Sequence, residues 1–428
     1  MSDVKRSTEL RPETDVLTRG FDPKLSVGSA RPAVFRSSTY VFSSPEAAEK
    51  AFDVMGGRAQ LMPGESVDLV YSRFNHPNAE ILEEQIIPLE PGAHAAAVFN
   101  SGMAAIMTAL LAVVKPGDSI VYTTPIYGGT QTLILDFLQG FGVTGIAVTA
   151  GKSDEIDQAI RNARNLRVVL IETPANPTIV MTDIRRVCDT LAAVHGHTGT
   201  GNAASSSGRP LVMVDNTFLG PAFQHPLAMG ADVSLYSATK YLGGYSDIIG
   251  GVALTRDVEL IKKIRAKRSL FGNILQPDEC WILDTRLPTV HLRMNRQSKN
   301  AQRIAEHLSN HPKIDKVYYP TLFDDPEQAR IRDAQCDFPG GLISLDLKGG
   351  KAGAFDFLRN LRLARNAVSL GGVETLVCHP RTTTHSGWTK QALDEAGIGD
   401  GLVRISIGIE DWRDLLSDFE QALSKINL

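Results

Sequence analysis

The sequence predicts an α/β fold with a mostly parallel central sheet and a smaller C-terminal α/β domain. Three observations lead there. Between about 70 and 275, short apolar β-branched runs alternate with amphipathic helical stretches, the pattern of a parallel sheet covered on both faces. After about 276 the composition shifts to a long helix, an alternating strand and a terminal amphipathic helix. The chain has 428 residues, enough for more than one buried core.

The elements follow in order. Residues 1–70 are rich in proline, glycine and polar side chains and hold only short apolar stretches such as 33–35 and 39–42. They read as an extended arm that must lie on something else, with a second subunit as one candidate. Strands are expected over 95–99, 119–123, 166–171, 211–214 and 233–236, with a helix over 102–114 after the first. The Gly/Ser-rich stretch 196–208 lacks the spacing of a phosphate-binding P-loop and reads as a surface loop. Beyond 276, a helix is expected over 289–310 and a strand over 341–347. Trp412, Leu415, Leu416, Phe419 and Leu423 recur at helical spacing and predict a terminal helix. The division is therefore 1–70, 71–275 and 276–428, with ligand chemistry expected in the cleft between the two larger parts.

Composition narrows the function classes. Forty-four basic and 48 acidic side chains give a formal charge of -4, and no dense basic run occurs, which argues against nucleic-acid or anionic-membrane partners. The N-terminus carries no signal-peptide pattern and no span of 18 apolar residues is present, so a cytoplasmic protein is expected. Cys188, Cys280, Cys336 and Cys378 are scattered without a CxxC pair, which suits a reducing compartment without disulfides or a metal site.

The segment Ser237-Ala-Thr-Lys240-Tyr-Leu-Gly-Gly244 is the most informative in the chain. It sets a lysine beside two hydroxyls just after an expected strand. Asp215 ends the apolar run 211–214, where an unpaired carboxylate is costly. Lysine for a Schiff base, a carboxylate for a pyridine nitrogen and hydroxyls for a phosphate together suit pyridoxal phosphate. Taken singly, Lys240 reads as a surface cation and Asp215 as a turn cap. Ser101-Gly102-Met103 opens a helix after a strand, where free amides and the helix dipole favour a phosphate, although a serine cap is the plainer reading. Tyr127 sits in a loop after a strand, placed to stack on a ring or move a proton, or else to pack.

From about Pro32 to the C-terminus, the sequence resembles the Cys/Met-metabolism enzymes dependent on pyridoxal phosphate. The resemblance rests on Tyr71-Ser-Arg73, Ser101-Gly-Met103, Tyr127-Gly-Gly-Thr130, Glu172-Thr-Pro-Ala-Asn-Pro-Thr178, Asp215-Asn-Thr217 and Ser237-Ala-Thr-Lys-Tyr241. Ser369-Leu-Gly-Gly372, His379-Pro380, Thr384-His385 and the run 404–411 complete it. It implies the fold type I of PLP-dependent transferases, aspartate aminotransferase-like. Lys240 would carry the Schiff base and shuttle protons. Ser101, Gly102, Met103, Ser237 and Thr239 would form the phosphate cup, Asp215 would hold the pyridine nitrogen and Asn176 the ring's O3'. Tyr127 would stack on the ring and help protonate the leaving group. Arg404, with Ser369, would clamp the substrate α-carboxylate. Tyr71 and Arg73 would reach the phosphate in the neighbouring subunit, making a homodimer the minimum unit, usually paired into a tetramer.

The resemblance implies a γ-lyase acting on an amino acid, with γ-replacement, as in cystathionine γ-synthase or a homoserine-ester sulfhydrylase, as the alternative. A catalytically silent cofactor-binding protein or structural oligomer is the reading of another class. Glu374-Thr-Leu376 is closer to methionine γ-lyase. Gly129 stands where those enzymes usually carry a cysteine, Tyr245 replaces a usual histidine, and Asn75-His-Pro-Asn78 departs from the common pattern. These departures fall around the substrate entrance and weaken an assignment to methionine; Tyr245 and His76 at the mouth, with Glu374 facing a guanidinium, would suit L-canavanine, with L-methionine or L-cystathionine as the other candidate substrates.

Overall fold

The computed structural model describes residues 10–17, 19–62, 65–196 and 208–427. Of the expected surface loop, residues 197–207 lie outside these. The large sheet is built from β1 (Ala95–Phe99), β2 (Ser119–Thr124), β3 (Thr144–Thr149), β4 (Leu166–Glu172), β5 (Leu211–Asp215), β6 (Val233–Ser237) and β7 (Gly251–Thr255). Their order is β1-β7-β6-β5-β4-β2-β3, and only β7 runs antiparallel to its neighbours. This is the mostly parallel α/β fold that the alternation of runs predicts.

Both faces are covered, which is why the strands read as continuous apolar runs. Val168, Leu170, Leu211 and Met213 pack with the helices Gly102–Leu111 and Val258–Phe271. Val169, Ile171, Val212 and Val214 point the other way, onto Ser153–Asn162 and Ile184–His195. The parallel strands β2, β4, β5 and β6 end together, so Thr124, Glu172, Asp215 and Ser237 emerge along one edge. Candidate chemistry sits there.

A second sheet holds β8 (Ile314–Tyr318), β9 (Leu342–Leu347), β10 (Arg365–Asn366), β11 (Leu376–Cys378) and β12 (Leu402–Ser406), in the order β10-β11-β12-β9-β8. The helix Val290–Leu308 presents Ala301, Ile304 and Leu308 to it, and the terminal helix Trp412–Leu423 presents Leu415, Phe419 and Leu423. Both helices were expected, the terminal one from its helical spacing. The helix Pro277–Arg286 shares a core with the large sheet instead: its Cys280 and Leu283 pack with Leu82 and Ile86 of Pro77–Ile86.

Four elements depart from expectation. The arm contains an eleven-residue helix, Pro45–Met55, capped by Ser44, whose side chain accepts from the Ala47 N–H. It buries only Ala51, so its weak apolar pattern had read as extended chain. β3 is an edge strand with mostly exposed or half-exposed residues, and β7 is a short strand that opens on glycine; neither gives a strong period-two signal. The expected helix 102–114 ends at Leu111, ahead of Pro116.

Candidate active site

Lys240 follows the end of β6 and reaches across to the second sheet's side of the molecule, where its Nζ donates to Ser369 Oγ at 3.2 Å. Burial, reinforced by the nearby Arg404 guanidinium, lowers its ammonium to about 8. An amine held there spends far more time as the neutral nucleophile than a surface lysine does.

Asp215 ends β5, and its Oδ1 accepts from the Thr217 N–H (3.1 Å) and Thr217 Oγ1 (2.5 Å). Burial pushes its carboxyl up, against the pull of those two bonds. Its register partner on β4 is Glu172, also pushed up, first by burial and then by the Asp215 charge. Two desolvated carboxyls at one floor call for a cation.

At the other end, Ser101 caps the Gly102–Leu111 helix by accepting from the Ala104 N–H at 3.0 Å. The first-turn amides of Gly102 and Met103 lack intrahelical acceptors by geometry. A Cβ on Gly102 would lie 2.8 Å from the Ser237 Cβ, so only glycine lets this helix end close on the Ser237–Lys240 turn. Thr239 Oγ1 accepts from the Gly250 N–H at 3.1 Å, which fixes that turn.

Arg404 on β12 is 2% exposed. Its Nη1 donates to Asn176 Oδ1 (3.0 Å), and its Nη2 to the carbonyls of Val368 (2.7 Å) and Ser369 (3.1 Å). Its Nε is buried with no partner, and none of these bonds goes to a carboxylate. A buried guanidinium in that state is prepared for an incoming anion. Beside it, burial and Arg404 push the His385 ring down to about 4, so this imidazole is neutral. Tyr127 is half-exposed at the rim, its N–H donating to Glu172 Oε2 at 2.8 Å.

These groups share one cavity of about 240 Å³ lined by Ser101, Gly102, Met103, Tyr127, Asn176, Asp215, Ser237, Thr239, Lys240 and Arg404. Ser369 joins through its bond to Lys240. The remaining wall was not singled out from sequence: Glu172 and Thr217 on the polar side, Ile106, Phe218, Ile249, Val368, Leu370 and Thr384 elsewhere. Glu172, Thr217, Leu370 and Thr384 stand inside motifs that carry the resemblance, but their place in this wall comes from the fold.

Four candidates lie apart. Tyr71 and Arg73 line a separate groove with Arg36 and Asp278; Arg73 donates to the Ser269 carbonyl at 2.6 Å, and its guanidinium sits 4.8 Å over Phe74. Glu374 accepts from Ser246 Oγ, and Tyr245 lies 4.7 Å beneath the Arg286 guanidinium. None of the four lines the Lys240 cavity in this chain. His76 needs a correction. It is 1% exposed, its Nδ1 accepts from the Ala79 N–H to cap a helix, and its Nε2 meets the Leu275 carbonyl. A buried cap cannot polarise a substrate mouth.

The cavity fits pyridoxal 5'-phosphate. The desolvated Asp215 matches a protonated ring nitrogen, the amide-rich helix end and its glycine cradle match a phosphate, and Lys240 lines the same cavity. Comparison with known proteins agrees. Residues 13–424 match the family model described as Cys/Met metabolism PLP-dependent enzyme. The chain is 37% identical over 401 residues to the L-methionine gamma-lyase of Fusobacterium nucleatum subsp. polymorphum, covering 93% of this chain and 94% of that one. It is 39% identical over 363 residues to the cystathionine gamma-lyase of Bacillus subtilis (strain 168), covering 85% and 90%. The crystal structure of cystathionine gamma synthase from Xanthomonas oryzae pv. oryzae in complex with cystathionine superposes with a TM-score of 0.86 at 33% identity, over 98% of this chain and 99% of that one. Likeness of this extent, in sequence as in backbone, makes the chain a member of the Cys/Met metabolism family of PLP-dependent enzymes.

Proposed function

We propose that this enzyme is a γ-lyase that removes the γ-substituent of a thioether amino acid, L-methionine or L-cystathionine. The observation that carries this is the cavity itself: Lys240, Asp215 and Arg404 converge beside an apolar wall of Ile106, Phe218, Ile249, Val368 and Leu370. A thioether loses nothing on entering such a wall, whereas a guanidinium would lose its water. Relatives named L-methionine gamma-lyase and cystathionine gamma-lyase support the same direction.

Bound pyridoxal phosphate supplies an electron sink that acidifies the α- and β-carbons of an attached amino acid. The chain's residues do the rest. Arg404, with Ser369, holds the α-carboxylate and so aims the α-proton at Lys240. Lys240, lowered to about 8, takes that proton as a free amine and shuttles the next one. Asp215 would keep the ring nitrogen protonated, and Asn176 would orient the ring's O3'. Gly102, Met103, Ser237 and Thr239 would hold the phosphate. Tyr127 would stack over the ring and donate a proton to the departing sulfur. Tyr71 and Arg73 serve the site of a neighbouring subunit, so a homodimer is the smallest complete unit. Residues 1–70 then act as the arm, 71–275 as the cofactor domain and 276–428 as the small domain.

Likeness to a cystathionine gamma synthase favours a second reading, γ-replacement. L-Canavanine is the third substrate to test, with Glu374 as the carboxylate for its guanidinium. Product analysis of holoenzyme with L-methionine, L-cystathionine, L-canavanine and O-acetyl- or O-succinyl-L-homoserine, each with and without a thiol, decides. Fast thiol-independent turnover of a thioether is expected. Turnover confined to a homoserine ester plus thiol overturns the lyase, and canavanine as the best substrate overturns the thioether.

A further inference from the structure

Glu172 is a buried carboxyl that the mechanism above leaves unused. Its Oε2 accepts from the Tyr127 N–H at 2.8 Å and its Oε1 from the Asn176 N–H at 3.1 Å. Its own N–H donates to Thr123 Oγ1 at 3.1 Å, which ties the end of β4 to β2. Asn176 passes the connection on, because its Oδ1 receives Arg404 Nη1 at 3.0 Å. One side chain thus braces the loop carrying the stacking ring and the loop that seats the carboxylate-binding guanidinium.

We propose that Glu172 is a positioning residue that fixes Tyr127 and, through Asn176, Arg404 in the geometry that binds cofactor and substrate carboxylate. This rests on the reading of the Lys240 cavity as the pyridoxal phosphate site. The brace does not depend on charge. Ionised or protonated, each oxygen keeps a lone pair that can accept an N–H. Glutamine cannot do the same. It has the same shape, but one of the two positions becomes an NH₂ facing an N–H, so one loop must move or lose its bond. Glu172→Gln is therefore a near-isosteric cut of one arm of the brace.

The test compares wild type, Glu172→Gln, Glu172→Asp and Gln328→Ala. Gln328 is a buried staple that accepts from the Met181 N–H (2.7 Å) and donates to the Met181 carbonyl (2.8 Å), outside the Lys240 cavity, so its loss reports stability alone. Three quantities are read: the cofactor's dissociation constant, the circular dichroism induced in its visible band, and the affinity for glycine by spectral titration. Glycine carries the α-carboxylate and no side chain to eliminate. Glu172→Gln should weaken glycine on the order of tenfold, as expected for losing one hydrogen bond next to a charged group, and should alter the induced band. Glu172→Asp, with the acceptors kept but the reach shortened, should show a smaller loss and serves if the glutamine variant does not fold. The proposal is overturned if both glutamate variants match wild type in glycine affinity and induced band. It is equally overturned if Gln328→Ala at the same thermal midpoint shows the same losses. Borohydride reduction of wild type separates the two levels. If cofactor is not trapped on Lys240, the site reading itself fails; if it is trapped and the variants are silent, only the role of Glu172 fails.

Discussion

A lysine whose ammonium ordinarily holds its proton to above 10 releases it at about 8 in this cavity, because burial and Arg404 both disfavour its charge. The free amine is the reactive form. Apo-protein mixed with pyridoxal phosphate should therefore react faster as pH rises through about 8 and level off above it. A stopped-flow profile still climbing steeply at about pH 10 would contradict the depressed lysine. Arg404 allows a second prediction. Arg404→Lys keeps the charge but loses the planar fork, and KM should rise on the order of 10- to 100-fold, the equivalent of about 1.5–3 kcal/mol of charged hydrogen bonding. An unchanged KM would place the substrate carboxylate elsewhere. At this scale the sequence was most readable where local rules speak, as at Lys240 beside its hydroxyls and at Ser101, whose cap follows from a serine between strand and helix. It was silent where meaning comes from distant neighbours. Val368 and Ile249 matter only as a wall, Glu172 only through its register with Asp215 and its bonds to the Tyr127 and Asn176 N–H groups, and His76, a cap of the helix that follows it, is buried because Leu275 lies against its other nitrogen.

The elements that hold the site are locked by buried charge as well as by apolar packing. Glu83, in the helix Pro77–Ile86, accepts from Arg268 Nη1 (2.6 Å), from Arg265 Nη2 (2.7 Å) and from the Val98 N–H (3.0 Å), joining that helix to Val258–Phe271 and β1. Two arginines overcome the burial cost and hold its carboxyl below the usual carboxylate range. Glu83→Ala would leave Arg268 buried and unpaired, a loss of about 3–5 kcal/mol measurable by denaturant unfolding. A change below about 0.5 kcal/mol would show the network to be dispensable. In the second sheet, Phe419→Ala should cost about 3–5 kcal/mol, since the ring is fully buried against Phe357. Long elements with a strong period were legible, including Val290–Leu308 and Trp412–Leu423. Edge strand β3 and the glycine-led β7 were not, because their place in the sheet comes from pairing rather than from their own pattern.

On the scale of the whole molecule, residues from Ser101 to Arg404 converge because parallel strands deliver their carboxyl ends to one edge while the second sheet supplies Ser369 and Arg404. The fold class followed from alternation alone; the convergence did not, since it depends on how two sheets face each other. Tyr71 and Arg73 stand outside the cavity of their own chain, and their proposed task in a neighbour's site gives a mixing test. Lys240→Ala and Arg73→Ala proteins should each be nearly inactive. Co-assembled at random, they should recover about a quarter of wild-type activity, because half the dimers are mixed and each mixed dimer has one intact site of two. No recovery in verified mixed dimers would mean that each site is complete within one chain. The central claim, γ-elimination run by Lys240, is tested most directly by isotope. Holoenzyme would turn over its best thioether substrate in heavy water without added thiol, and the α-keto acid would be analysed by mass and NMR. Deuterium on both the β- and γ-carbons, and none of this product from Lys240→Ala, is the predicted result; keto acid without γ-deuterium, or the same product from the lysine variant, would contradict it.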